Sequence, residues 1–182
     1  MQRIALVWPG LLLSLTSLIA GCGEANSSPY DSLKWPGDGA ASITLPATGA
    51  GQAYTFGSVV LCTSGERGIT VSSVRPVNPT GGMTVRAFSL RPRDPNSGAM
   101  FGAEQMTLER AGFDPSATTV AGRCSKNAFS ELGVELARGP GSGRTTALDI
   151  YYEGAGKQRF VRVPLSITLC SPTDSTPHCQ KP

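Results

Sequence analysis

Cysteine is the residue type with the most legible chemistry in this chain. Cys62, Cys124, Cys170 and Cys179 form an even set, and in a secreted protein such a set is a framework of two disulfides. Three connectivities are open. We favour Cys62–Cys124 and Cys170–Cys179, the second closing a short loop that ties down the C-terminal tail. No pair has Cys-x-x-Cys spacing, so neither a zinc site nor a thioredoxin-like dithiol is expected.

Other reactive groups are sparse. His178, the one histidine, sits between Pro177 and Cys179. A Ser–His–Asp triad or a multi-histidine metal site is therefore not expected, and His178 reads as a solvated tail residue. There is no Gly-x-Ser-x-Gly elbow, Ser-x-x-Lys motif or phosphate-binding loop. Glu104 with Glu109, or Asp149 with Glu153, would supply a general acid and base for glycoside hydrolysis if they converged. Asp149 and Glu153 fall on the polar face of one strand and read as solvent-facing charges. Met83, Met100 and Met106 carry thioethers of the kind that bind Cu(I). No histidine joins them, and Met83 falls at a core position, so gap-filling is the expected role. Tyr151 occupies an outward strand position, as a contact residue or a cross-strand packing residue.

The elements that position these groups begin with a leader. Arg3 precedes an uncharged apolar run from Leu6 to Ile19, interrupted by Pro9 and Gly10. The run is shorter than the roughly 20 apolar residues of a comfortable membrane span, and residues 1–21 have the layout of a secretory signal peptide. Its end, Ile19-Ala20-Gly21-Cys22, resembles the lipobox of bacterial lipoproteins. The resemblance implies cleavage between Gly21 and Cys22, a diacylglyceryl group on the Cys22 sulfur, and a protein anchored at the extracytoplasmic face of the cell membrane. Two or three acyl chains hold a protein stably where one does not. Residues 22–40 are rich in Gly, Ser, Pro and Asp and read as a lipidated flexible tether.

From Ala41 the pattern is β. Strands are expected at Ser42–Pro46, Tyr54–Cys62, Ile69–Val77 and Met83–Leu90. Ile69 and Val71 share one phase and Val74 the other, which predicts a bulge near Ser72–Ser73. Ser64–Gly68 reads as a hairpin turn. Residues 91–128 form a long connection with little pattern, and Gln105–Glu109 fits a short strand or a helical turn. Beyond it, Phe129–Arg138 and Thr145–Glu153 alternate, with Glu131, Gly133 and Glu135 on the polar phase of the first. Val161, Val163, Leu165, Ile167 and Leu169 hold period two, and Pro164 among them predicts an edge or a bulge. Seven or eight short strands point to an all-β, antiparallel two-layer sandwich of immunoglobulin-like architecture over residues 41–182.

A net charge of +3 across 182 residues is too small and dispersed for a nucleic-acid partner. Arg75, Arg86, Arg91 and Arg93 lie close in sequence and read as solvated strand faces and turns. The expected function is a non-catalytic binding or scaffolding module, presented to an envelope protein, a glycan or a lipid. The alternatives are a carrier for a lipid or copper with a pocket between the sheets and, third, a carboxylate hydrolase. No cofactor is expected beyond the lipid on Cys22.

Overall fold

The computed structural model of the chain describes residues 31–93, 100–154 and 156–180. The signal peptide, Cys22, the first part of the tether and residues 94–99 lie outside the described residues. Among those described there are twelve strands, β1 Leu33–Lys34, β2 Ala41–Leu45, β3 Tyr54–Thr63, β4 Ile69–Val77, β5 Thr84–Pro92, β6 Ala103–Glu104, β7 Thr119–Val120, β8 Ser130–Ala137, β9 Gly143–Thr145, β10 Ala147–Gly154, β11 Lys157–Val163 and β12 Leu165–Leu169, and one 3-10 turn, Cys124–Lys126.

Alternation drives the layering. Val59, Leu61, Leu132, Val134 and Leu90 come from a sheet of order β1-β3-β8-β5, with β6 also on β3, and they meet Val71, Val74, Leu148, Ile150 and Val163 from the sheet β11-β10-β4-β7. Successive side chains on a strand point to opposite faces, so each strand buries one phase in this shared core. The chain is an all-β sandwich. The rise from seven or eight strands to twelve comes largely from two- and three-residue strands too short to show a period.

The long apolar run 157–169 breaks at Pro164. Before it, β11 pairs with β10; after it, β12 pairs with β9 and, in parallel, with β2. A residue without an N–H sits where the ladder changes partners. This creates a third sheet, β2-β12-β9, whose Leu45, Ile167 and Leu169 join the common core. The bulge in β4 falls at Ser72, between Ser73 opposite Tyr151 and Val71 opposite Tyr152.

Two expectations are corrected. Ser64–Gly68 is not a hairpin turn, because β3 and β4 belong to different sheets; Thr63 N–H donates to the Gly122 carbonyl at 2.8 Å, away from β4. The sandwich also begins before Ala41. Leu33 is buried opposite Thr63, and Ser32 accepts from Ser64 N–H through its carbonyl. A two-residue strand inside a polar stretch has too short a period to be seen in sequence.

Residues 100–114 of the connection form an ordered cover on the outer face of the first sheet, before the chain crosses to the second sheet as β7. Gly57 and Gly133 lie opposite each other and leave a flat floor. A Cβ on Gly133 would lie 2.7 Å from the Phe113 ring and 2.8 Å from Leu108. Leu108 starts and Phe113 follows a single helical turn closed by Ala111 N–H on Thr107 O. Phe113 N–H reaches Leu108 O at 3.0 Å and Gly112 N–H reaches Glu109 O at 3.0 Å, with Gly112 at φ +80°. That is the Schellman pattern, complete with its apolar contact. Of Glu131 and Glu135, on the expected polar phase, the first is buried and the second half-buried under the cover. Glu131 is 2 % exposed, accepting from Phe101 N–H at 2.6 Å and Arg91 Nε at 3.0 Å, and Glu135 accepts from Leu108 N–H at 3.2 Å.

Candidate binding surface

The outer face of β4, β10 and β11 is open. Because Leu148, Ile150 and Tyr152 point into the core, Asp149, Tyr151 and Glu153 must point out. Register then sets their neighbours. Asp149 lies between Arg75 and Arg162, and Tyr151 lies between Ser73 and Phe160.

Asp149 takes both prongs of Arg162, Nε at 2.7 Å and Nη2 at 2.8 Å. Covered in this way it is only 7 % exposed, not the solvent-facing charge read from sequence. The hydrogen bond from Arg162, and then the carboxylate's charge, hold the Arg162 pKa above its ordinary value. Arg75 turns instead to Tyr151, its Cζ 4.8 Å from the ring centroid. The Tyr151 and Phe160 rings are 5.6 Å apart and tilted by 37°, and Arg162 Cζ is 5.7 Å from Phe160. The outcome is a stripe of Arg75, Tyr151, Phe160 and Arg162. Phe160 is 52 % exposed.

This arrangement suits recognition. Tyrosine and arginine are enriched among residues that dominate binding energy, and an exposed cation–π contact contributes about 0.5–1 kcal/mol. A guanidinium held over an aromatic ring can still offer N–H groups to a carboxylate or phosphate. Among the described residues no carboxylate pairs with Arg75.

The other singled-out residues fall elsewhere. Disulfides join Cys62 to Cys124 and Cys170 to Cys179. Asp149 and Glu153 are four residues apart on one strand, a span of about 13 Å; paired glycosidase carboxylates need roughly 5–9.5 Å. Glu104 lies on β6 opposite Thr55, and Glu109 in the helical turn; both are exposed. Met83 is buried in the main core, Met106 packs on the Leu108–Phe113 cluster, and Met100 is exposed. No group of three or more His, Cys, Asp or Glu able to hold a metal occurs among the described residues. The four close-spaced arginines separate, Arg75 to the second sheet and Arg86 and Arg91 to β5 of the first. His178 is exposed in the tail.

Sequence reasoning picks out Tyr151 and misses Phe160. The signal is present, since Phe160 and Arg162 share the phase opposite to Val161 and Val163. An aromatic on the outward phase of a strand is the mark of a contact residue.

No protein-family model matches the chain, and no curated protein is significantly similar to it.

Proposed function

We propose that this chain is a lipid-anchored envelope lipoprotein whose sandwich is a non-catalytic binding module, docking an acidic protein partner on the outer face of β4, β10 and β11. The observation that carries this reading is the half-exposed Phe160 beside Tyr151, with the Arg75 guanidinium stacked on the ring and without a carboxylate partner among the described residues. The anchor rests on Ile19-Ala20-Gly21-Cys22. A lipid or copper carrier has less support, because Leu61, Leu132, Val134, Leu148 and Ile150 fill the space between the sheets.

The test places a photo-cross-linking amino acid at position 160 in living cells. One reproducible protein adduct is expected, lost when Arg75→Glu is added. Equal capture from position 109, on the opposite sheet's cover, would overturn the docking face. The intact mass of the same protein reports the diacylglyceryl group on Cys22, and an unlipidated mature chain would overturn the anchor.

A further inference from the structure

A cleft of about 410 Å³ lies away from the docking face, on the outward side of the small sheet β2-β12-β9. That size falls within the roughly 300–1,000 Å³ of small-molecule sites. Its floor follows from register. Thr168 lies between Thr44 and Arg144, and since Leu45, Ile167 and Leu169 point into the core, this row points outward. Ser42 stands two residues from Thr44 on the same face.

The walls are held in place. Ser142 belongs to the turn that buried Arg138 organises by donating to the carbonyls of Gly139 at 2.8 Å and Pro140 at 3.0 Å. Hydrogen-bonded to that turn, the tail closed by Cys170–Cys179 contributes Asp174 and His178. Asp174 accepts hydrogen bonds from the Ser142 hydroxyl and from Thr176 N–H at 2.9 Å and Oγ1 at 2.7 Å. Its charge is therefore committed to the wall. Arg144 is different. Its backbone pairs with Thr80, its side chain is exposed, and among the described residues no carboxylate pairs with its guanidinium.

The lining carries six hydroxyls, a guanidinium, an imidazole and a carboxylate, and no aliphatic or aromatic hydrocarbon side chain. A lipid would find no apolar wall there. Hydroxyls both donate and accept, which matches a polyol, and a guanidinium takes a carboxylate or phosphate with two parallel hydrogen bonds. We infer that this cleft binds a small acidic sugar, with its oxyanion on Arg144 and its ring hydroxyls on Thr44, Thr168 and Ser42. His178 also lines the cleft. Carboxylate and phosphate sugars share this chemistry.

The test is a two-dimensional amide NMR titration of the full disulfide-intact chain in detergent, with glucuronate, glucose 6-phosphate, glucose and inorganic phosphate in turn. Saturable shifts at Thr44, Arg144 and Thr168 are expected with at least one acidic sugar. The tighter of the two acidic sugars identifies the oxyanion. Glucose should bind at least tenfold more weakly. Arg144→Gln, a change at an exposed side chain, should cut acidic-sugar affinity at least tenfold, and Thr168→Val should weaken it without abolishing the Arg144 dependence. Phosphate binding as tightly as glucose 6-phosphate, with no response to glucuronate, would mean an adventitious ion only and overturn the inference. So would glucose matching the acids, an unaffected Arg144→Gln variant, or no saturable shift with any probe.

Discussion

Glu131 shows what one buried carboxylate does in this molecule. It ties the cover to the first sheet by accepting from the Phe101 backbone and from Arg91, whose Nη2 is also 3.0 Å from Oε2. Arg91 in turn lies over Phe113, Cζ 4.3 Å from the ring centroid. Glu131→Gln keeps the shape and removes the charge, and urea unfolding should show a loss of about 1.5–3 kcal/mol, the range for hydrogen bonds to a charged partner. Gly133→Ala drives a methyl into Phe113 and Leu108, and should cost about 1–3 kcal/mol by overpacking. Gly141→Ala meets nothing within 4 Å and should stay within about 0.5 kcal/mol of the parent. Phe160→Ala should likewise leave the unfolding midpoint nearly unchanged while abolishing capture by a photo-cross-linker moved to position 158, exposed on the same face of β11, which separates a contact residue from a core residue. The polar phase Glu131-Gly133-Glu135 is visible in sequence; its burial is not. A strand face that offers carboxylates to water looks the same as one that offers them to the N–H groups of a covering loop.

At the scale of elements, the tail 170–180 is held by a disulfide and by Asp174. The hydrogen bonds from Ser142 and then Thr176, with a smaller contribution from the charge of His178, bring the Asp174 pKa down from an ordinary 3.8 to about 2. A carboxylate whose pKa is lower in the folded state stabilises that state fully above its unfolded pKa, and loses the effect as pH falls through the folded value. The melting-temperature gap between the parent and Asp174→Asn should therefore be fully present at about pH 5, shrink below 4 and be mostly lost by pH 2. Asp114, whose pKa is lowered by Ser116, is present in both proteins and cancels in the difference. The strands themselves are readable where one phase is apolar. Ile69, Val71 and Val74 announce the bulge at Ser72 because an extra residue must restore the inward phase. The partner of a strand is less readable. Ser64–Gly68 has hairpin chemistry, yet the chain crosses there from one sheet to the other, since turn residues specify a reversal and not which edge receives it.

For the whole molecule, the two disulfides should contribute unequally. Cys62–Cys124 spans 62 residues and Cys170–Cys179 spans 9. Loop-closure entropy gives about 4 kcal/mol for the first and about 2.5 kcal/mol for the second. Paired serine variants followed by denaturant unfolding should reproduce that order; the reverse order would point to strain or denatured-state structure. Architecture is the most legible level, because several strands with clean alternation leave few ways to hide apolar surface other than two facing sheets. The proposed docking stripe is partly legible, since Tyr151 and Arg75 appear as outward residues. Bringing them together with Phe160 and Arg162 needs the β4–β10–β11 register, which no local pattern encodes. The cleft on the third sheet is not legible, because its walls come from Thr80, Ser142 and Asp174, brought together only by tertiary contacts.

The parallel pairing of β2 with β12, Ala41 opposite Leu165 through Leu45 opposite Leu169, bears on how the domain is made. The first strand of the third sheet has no partner until its last strand has left the ribosome. Contacts this distant in sequence are slow to form, so a long interval follows in which the chain is synthesised but unsealed. For the proposed export, a seal that depends on the far end of the chain keeps it threadable during that interval. Nonsense truncation before Leu165 would leave β2 exposed as an unpaired edge, the kind of surface that quality-control proteases and neighbouring strands capture.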